Sequence, residues 1–138
     1  MKKFLLGIVF VLFAGIFVSC DGDGTEETTT RNYQYSDYSY YQVKAYDDQL
    51  EYSDGTFYVY YYSENCGACI SIKSDVLGKV SHLESDVLLL FDVFNNGLDI
   101  ESSFNIEQTP TLIKVTNNRF DEKYVGVSEI LPILNELE

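Results

Sequence analysis

Two cysteines, Cys66 and Cys69, stand in the spacing C-x-x-C between an aromatic run and a helical pattern, and this juncture constrains the 138-residue chain more than any other feature. Upstream, Thr56-Phe-Tyr-Val-Tyr-Tyr-Tyr62 is aromatic and β-branched and follows the break Asp54-Gly55. Such a run predicts a buried strand. Ser63-Glu64-Asn65 reads as a turn with capping residues. Beyond it, apolar residues at 69, 72, 76, 77, 80 and 83 keep helical spacing, predicting one helix from the motif to Leu83. Cys66 is thereby placed at a helix N-terminus, with Cys69 about one turn inside. Free backbone N–H groups and the helix dipole at that end favour a thiolate.

The chain has three cysteines, Cys20, Cys66 and Cys69, and one histidine, His82. A disulfide framework would use more cysteines at wider separations. A structural zinc site would use four ligands, and His82 is read as an exposed residue near a helix end rather than a ligand. The close pair is therefore read as a redox dithiol that needs no metal or organic cofactor. Its working group is the Cys66–Cys69 disulfide itself.

Downstream, Asp86–Val93 predicts a second buried strand and Leu98–Phe104 a short helix. Thr111–Thr116 predicts a third strand, Asn117-Asn118 a tight hairpin turn, and Arg119–Val125 the returning strand. Gly126 breaks that strand. Ser128 is expected to cap a final helix, Glu129–Leu137, with Pro132 in its first turn. Tyr40–Leu50 is expected to be a helix upstream. This order predicts an α/β fold with a mixed central sheet flanked by helices.

The N-terminus reads as export machinery. Lys2 and Lys3 precede fifteen apolar residues, Phe4 to Val18, too few for a spanning helix of about 20 and suited to a signal core. Phe17-Val18-Ser19-Cys20 resembles a bacterial lipobox, in which a small residue precedes a cysteine that is lipidated and becomes the new N-terminus; Phe17 replaces the usual Leu. The alternatives are a signal cut elsewhere or kept as an anchor, with Cys20 a spare thiol. The reading divides the chain into a lipoprotein signal over 1–19, an acidic tether over 20–34 and a folded domain over 35–138. Asp21-Gly-Asp-Gly lacks the fifth- and twelfth-position ligands of a calcium loop, since Thr25 and Asn32 stand there. The net charge is −13, and −15 without Lys2 and Lys3. So acidic a chain lacks the basic footprint of nucleic-acid binding and would be repelled by anionic lipid, so membrane attachment must come through an anchor. The expected location is the extracytoplasmic face of a bacterial cell membrane, lipid-anchored, or else secreted or N-terminally anchored.

The strand–C-x-x-C–helix juncture, together with Phe104-Asn-Ile106-Glu-Gln-Thr109-Pro110-Thr111-Leu112 and Gly126, resembles the thioredoxin family over about residues 52–138. The resemblance implies the thioredoxin-like fold, a cis Pro110 against the cysteine pair, and a Thr109 backbone that pairs with a substrate peptide as an added strand. It also places Gly67, Ala68, Thr109 and Pro110 at the substrate and Cys66 and Cys69 in catalysis. Thioredoxins carry a Trp before the first cysteine, where this chain has Asn65, and C-G-P-C, where it has Ala68. They bury an acid six residues before the first cysteine; here stands Tyr60. No lysine occupies the partner position around Leu90 and Phe91. A phenol, with a pKa near 10, is a poor base at neutral pH.

In the implied mechanism Cys66 attacks a substrate disulfide, and Cys69 then resolves the mixed disulfide. The expected partners are thiols and disulfides of exported proteins and a membrane electron carrier. Gly67-Ala68 offers no His to stabilise the Cys66 thiolate, and Glu64 with the acidic surface would raise its pKa; the less stable thiolate points to a reductase. Two other readings stand beside it: a redox-inactive binding or export accessory module with a static disulfide, and a copper(I) carrier using the two thiols. Eleven of the 12 tyrosines fall between Tyr33 and Tyr62. Tyr58 to Tyr62 are expected in the core, and Tyr33 to Tyr41 either cover a domain edge or form a partner patch.

Overall fold

The computed structural model describes residues 32–43, 55–84, 87–96 and 104–138. The signal and tether expected over 1–31, Cys20 included, lie outside them. Four strands form one sheet in the order β2-β1-β3-β4. They are β1 (Thr56–Tyr62), β2 (Leu88–Asp92), β3 (Thr111–Thr116) and β4 (Arg119–Val125). β1 runs parallel to β2 and antiparallel to β3, and β3 pairs antiparallel with β4. The sheet is mixed, as the sequence predicts.

The central position of β1 explains its composition. A strand hydrogen-bonded on both edges and covered on both faces has no polar side to offer. Its period of two sends Tyr60 and Tyr62 to one face, packed with Cys69, Val76, Leu77 and Ile130. It sends Phe57, Val59 and Tyr61 to the other, with Val43, Phe91, Phe104 and Ile113. The first face is covered by α1 (Gly67–Ser71), α2 (Lys73–Val80), α4 (Val127–Glu136) and a 3-10 helix, Tyr35–Tyr41.

Several elements depart from the sequence reading, each for a local reason. The single helix expected after the motif is two, because Ile72 has φ −111° and ψ 9° and joins α1 to α2 at a break. The Ser71 hydroxyl donates back to the Ala68 carbonyl at 2.7 Å, a bond that competes with helical continuation. β2 stops at Asp92, whose carboxylate accepts from the N–H groups of Phe94 at 2.9 Å and Asn95 at 3.3 Å. That cap turns Val93 out of the strand and into α3 (Val93–Asn96). The helix expected over Leu98–Phe104 lies mostly outside the described residues, and Phe104 itself is a buried turn residue.

The helix expected over Tyr40–Leu50 does not hold at its start. Gln42 is extended and bridges Leu90, and the Val43 N–H donates to the Leu90 carbonyl at 2.9 Å. Val43 is thereby drawn under the sheet and buried; residues 44–50 lie outside the described set. Gly126, not Ser128, is the N-cap of α4, at φ 82°, where a side chain would be strained. The helix therefore starts at Val127, and Pro132 sits in its second turn. Asn117 and Asn118 take φ 49° and 59°, the left-handed pair that a two-residue hairpin of this hand requires.

The tyrosine-rich segment covers the cysteine-bearing face. Tyr35 stacks on Tyr62 with ring centroids 3.7 Å apart, and Lys73 Nζ lies over the Tyr35 ring, 5.7 Å from its centroid. Gln42 donates to the Tyr62 hydroxyl at 2.8 Å, and Lys73 donates to Gln34 at 3.1 Å. Tyr40, by contrast, is 75% exposed.

Candidate functional site

β1 carries the chain to one end of the sheet, and the turn after Tyr62 delivers Cys66. The Cys66 N–H donates to the Ser63 carbonyl at 3.1 Å, closing that turn. The expected capping residues do not cap α1. Cys66 does so itself: its Sγ accepts from the Cys69 N–H at 3.2 Å. Asn65, where the resemblance expects a Trp, is exposed, and its N–H donates to Ser63 Oγ at 3.3 Å. Gly67 and Ala68 are exposed beside the sulfur. Cys66 is half-buried and Cys69 is buried, and both are free thiols.

The second stretch meets the first in space. The Thr109–Pro110 bond is cis, and the Cys66 thiol donates to the Thr109 carbonyl at 3.3 Å across 43 residues of sequence. Pro110 is buried and Thr109 half-buried. The Pro110 carbonyl accepts from the Gly126 N–H at 3.0 Å, and the Thr111 hydroxyl donates to the Gln108 carbonyl at 2.8 Å. These bonds fix the loop against the end of β4. Cys66, Cys69, Gly67, Ala68, Thr109 and Pro110 thus gather at one end of the sheet.

The two thiols differ sharply in electrostatics. Burial pushes Cys66 up, but hydrogen bonds involving the Cys69 and Thr109 side chains and the backbone of Cys69 and Ala68 outweigh it, so the thiol lies below its ordinary value. The backbone donors expected at a helix start are among the main influences on Cys66, whereas Glu64, expected to raise its pKa, is not. Cys69 is pushed up to about 11, by burial first and then by its contact with Cys66. Such a pair divides the labour of exchange, with one sulfur ready as nucleophile and one held protonated in reserve.

Alkylation of the reduced chain should therefore be ordered. Iodoacetamide is expected to modify Cys66 with a pH midpoint below the ordinary thiol value of about 8.5, because the lowered pKa makes thiolate available at lower pH. Cys69 should stay unmodified until the pH approaches about 11. Peptide mass spectrometry across a pH series reads both, and equal labelling of the two at neutral pH would contradict the assignment.

Tyr60 occupies the position where the resemblance expects a buried acid. It is fully buried and shares the core cluster of Cys69. Leu90 and Phe91 are buried apolar neighbours of β1, paired with Tyr60 and Tyr61. His82 lies just past α2, exposed, with Nδ1 2.6 Å from the Gly78 carbonyl and 3.0 Å from Ser81 Oγ. Among the described residues no three His, Cys, Asp or Glu side chains cluster to hold a metal.

A mixed four-stranded sheet that presents a C-x-x-C dithiol at a helix start, facing a cis-proline loop, defines a thioredoxin-like domain. The profile of the Thioredoxin family matches residues 38–138, and the chain belongs to that family. Family membership points to thiol–disulfide oxidoreductase chemistry in general. Solved structures agree on the fold. The thioredoxin of Malassezia sympodialis is 20% identical, with a TM-score of 0.54 over 69% of this chain and 87% of that one. The thioredoxin of Fasciola hepatica is 16% identical, with a TM-score of 0.57 over 69% and 92%. The germline-specific thioredoxin Deadhead of Drosophila melanogaster is 19% identical, with a TM-score of 0.55 over 70% and 98%. No curated protein matches the sequence.

Proposed function

We propose that the chain is a membrane-tethered, extracytoplasmic thiol–disulfide oxidoreductase that reduces disulfides in exported proteins. The observation that carries the reading is the asymmetric pair: an accessible Cys66 with a lowered pKa beside a buried Cys69 with a raised one. Cys66 thiolate attacks one sulfur of a substrate disulfide, forming a mixed disulfide and releasing the other sulfur as thiolate. Cys69 then attacks Cys66, closing the Cys66–Cys69 disulfide and releasing the second substrate thiol. Gly67, Ala68, Thr109 and Pro110 frame the approach to Cys66 and serve as the substrate-binding surface. The tether is lipid on Cys20, and a membrane carrier returns two electrons to the pair.

What stabilises Cys66 supports the reducing direction. Hydrogen bonds lower its pKa, and no cation figures among the main influences. Strong oxidants of this type depend on a thiolate stabilised far more deeply, with a pKa near 3.5 against about 7 in thioredoxin. A thiolate held by hydrogen bonds without a neighbouring cation leaves the disulfide better held and the potential lower.

The reduction potential of the full chain in detergent, equilibrated with dithiothreitol or glutathione, tests this. A value near about −270 mV is expected, and one above about −150 mV would make the protein an oxidant instead. A pair that never equilibrates would leave a binding module with a static disulfide as the function.

A further inference from the structure

Two phenol hydroxyls lie buried beside the resolving sulfur and have no part in the steps above. Tyr60 is fully buried and Tyr35 is 4% exposed. Neither hydroxyl has a hydrogen-bond partner among the described residues. Buried polar groups without partners are destabilising and uncommon, so two of them next to one reacting thiol need an account. They are ordered by stacking: Tyr60 on Tyr62 with centroids 6.0 Å apart, and Tyr62 on Tyr35 at 3.7 Å. The Tyr60 hydroxyl faces the Tyr35 hydroxyl and the Cys69 thiol, near enough for each to bear on the others without the geometry of a full hydrogen bond. The Tyr35 hydroxyl is itself buried, but the row leads toward the surface: Tyr35 lines two surface clefts of about 330 and 240 Å³, and Glu64 walls both.

We propose that Tyr60 and Tyr35 form a proton exit for Cys69, carrying its thiol proton from the buried site to the cleft beside Glu64. The inference rests on the oxidoreductase reading. Cys69 must lose a proton when it attacks the mixed disulfide, and among the described residues no carboxylate is buried beside it to take one. In the proposed step the Cys69 S–H bond breaks and its proton passes to the Tyr60 oxygen. Tyr60 hands its own proton to Tyr35, and Tyr35 releases one to water in the cleft. The Cys69 sulfur is oxidised into the new disulfide, and the substrate sulfur leaves reduced. Neither phenol ionises, which fits their surroundings, since burial pushes both well above the ordinary phenol value. The titratable and charged groups facing this row are Cys66 and Glu64 around the motif, Tyr62 on β1 and Lys73 on α2; the other buried members of the cluster are apolar, and Tyr33, Tyr38, Tyr41, Tyr58 and Tyr124 pack at its margin.

One equivalent of 5,5′-dithiobis(2-nitrobenzoic acid), mixed with the reduced full chain in detergent, separates the two steps. Attack by Cys66 releases the first thionitrobenzoate, and resolution by Cys69 releases the second. Tyr60→Phe and Tyr35→Phe remove only the hydroxyls and keep the rings that pack. Each is expected to leave the first release unchanged and slow the second roughly tenfold or more at neutral pH. The difference should shrink as the pH nears about 11, where Cys69 ionises unaided. Wild-type rates of second release in both variants overturn the relay, as does equal slowing of both releases at every pH. No release from the wild-type chain overturns the oxidoreductase reading itself.

Discussion

Replacing Cys66 by serine should take disulfide reduction down to background, and replacing Cys69 by serine should stop the reaction halfway. The two outcomes differ because the thiols differ. Cys66 Sγ is the accessible sulfur, held by the Cys69 N–H at 3.2 Å and the Thr109 carbonyl at 3.3 Å, and without it no mixed disulfide can form. In Cys69→Ser the nucleophile remains, so substrate protein stays covalently attached to Cys66. Non-reducing electrophoresis of the full chain with a disulfide-bonded substrate reads both results. The Cys69 variant should gain a band that thiol reductant removes, and the Cys66 variant should gain none. An adduct forming on Cys69 in the Cys66 variant would reverse the assigned order.

The largest loss of stability is expected at Tyr62, where Tyr62→Ala should cost about 3–5 kcal/mol, the range for truncating a large buried aromatic. Tyr62 is nearly fully buried. Its ring is packed between Tyr35 and Tyr60, and its hydroxyl accepts from Gln42. Its removal would open a cavity and also release the 3-10 helix that Tyr35 anchors. Small domains have net stabilities of only about 5–15 kcal/mol, so the urea midpoint should fall steeply. Tyr62→Phe keeps the stack and loses one hydrogen bond, and should cost about 0.5–1.5 kcal/mol. Equal losses in the two variants would place the contribution in the hydroxyl rather than the stack.

Much of the sheet could be read from the sequence because its signals are local. β1, β3, β4 and the Asn117-Asn118 turn follow from alternation, β-branched or aromatic content, and residues that tolerate positive φ. The break at Ile72 escaped because the apolar face of the helix continues across it; only the Ser71–Ala68 side-chain bond betrays it. α3 escaped because Asp92 ends a strand and caps a helix at once, so the apolar run seemed to continue through Val93. Gly126 stands where Ser128 was expected because a positive-φ entry to α4 matters more there than a hydroxyl. At the site, the spacing of the cysteines was legible, but the use of Cys66's own sulfur as a cap was not. The long-range contacts, Cys66 to Thr109 and Tyr35 to Tyr62, span 43 and 27 residues and leave no periodic trace. The Tyr33–Tyr41 segment could be read as covering or as patch, and the structure uses Tyr35 as cover.

The outer strand of the sheet has a further consequence, for self-association. β4 ends the order β2-β1-β3-β4 among the described residues, and its free edge could template pairing with another copy. It carries Arg119, Asp121, Glu122 and Lys123, all exposed. The register shifts between Lys114 and Val115, opposite Asp121, so the edge is irregular as well as charged. Lys114 ties down that irregularity with an ion pair to Asp121 at 3.0 Å. A second molecule approaching edge to edge would have to strip water from these charges and match a kinked ladder. The chain can therefore be crowded at high local density without its sheets fusing through this edge.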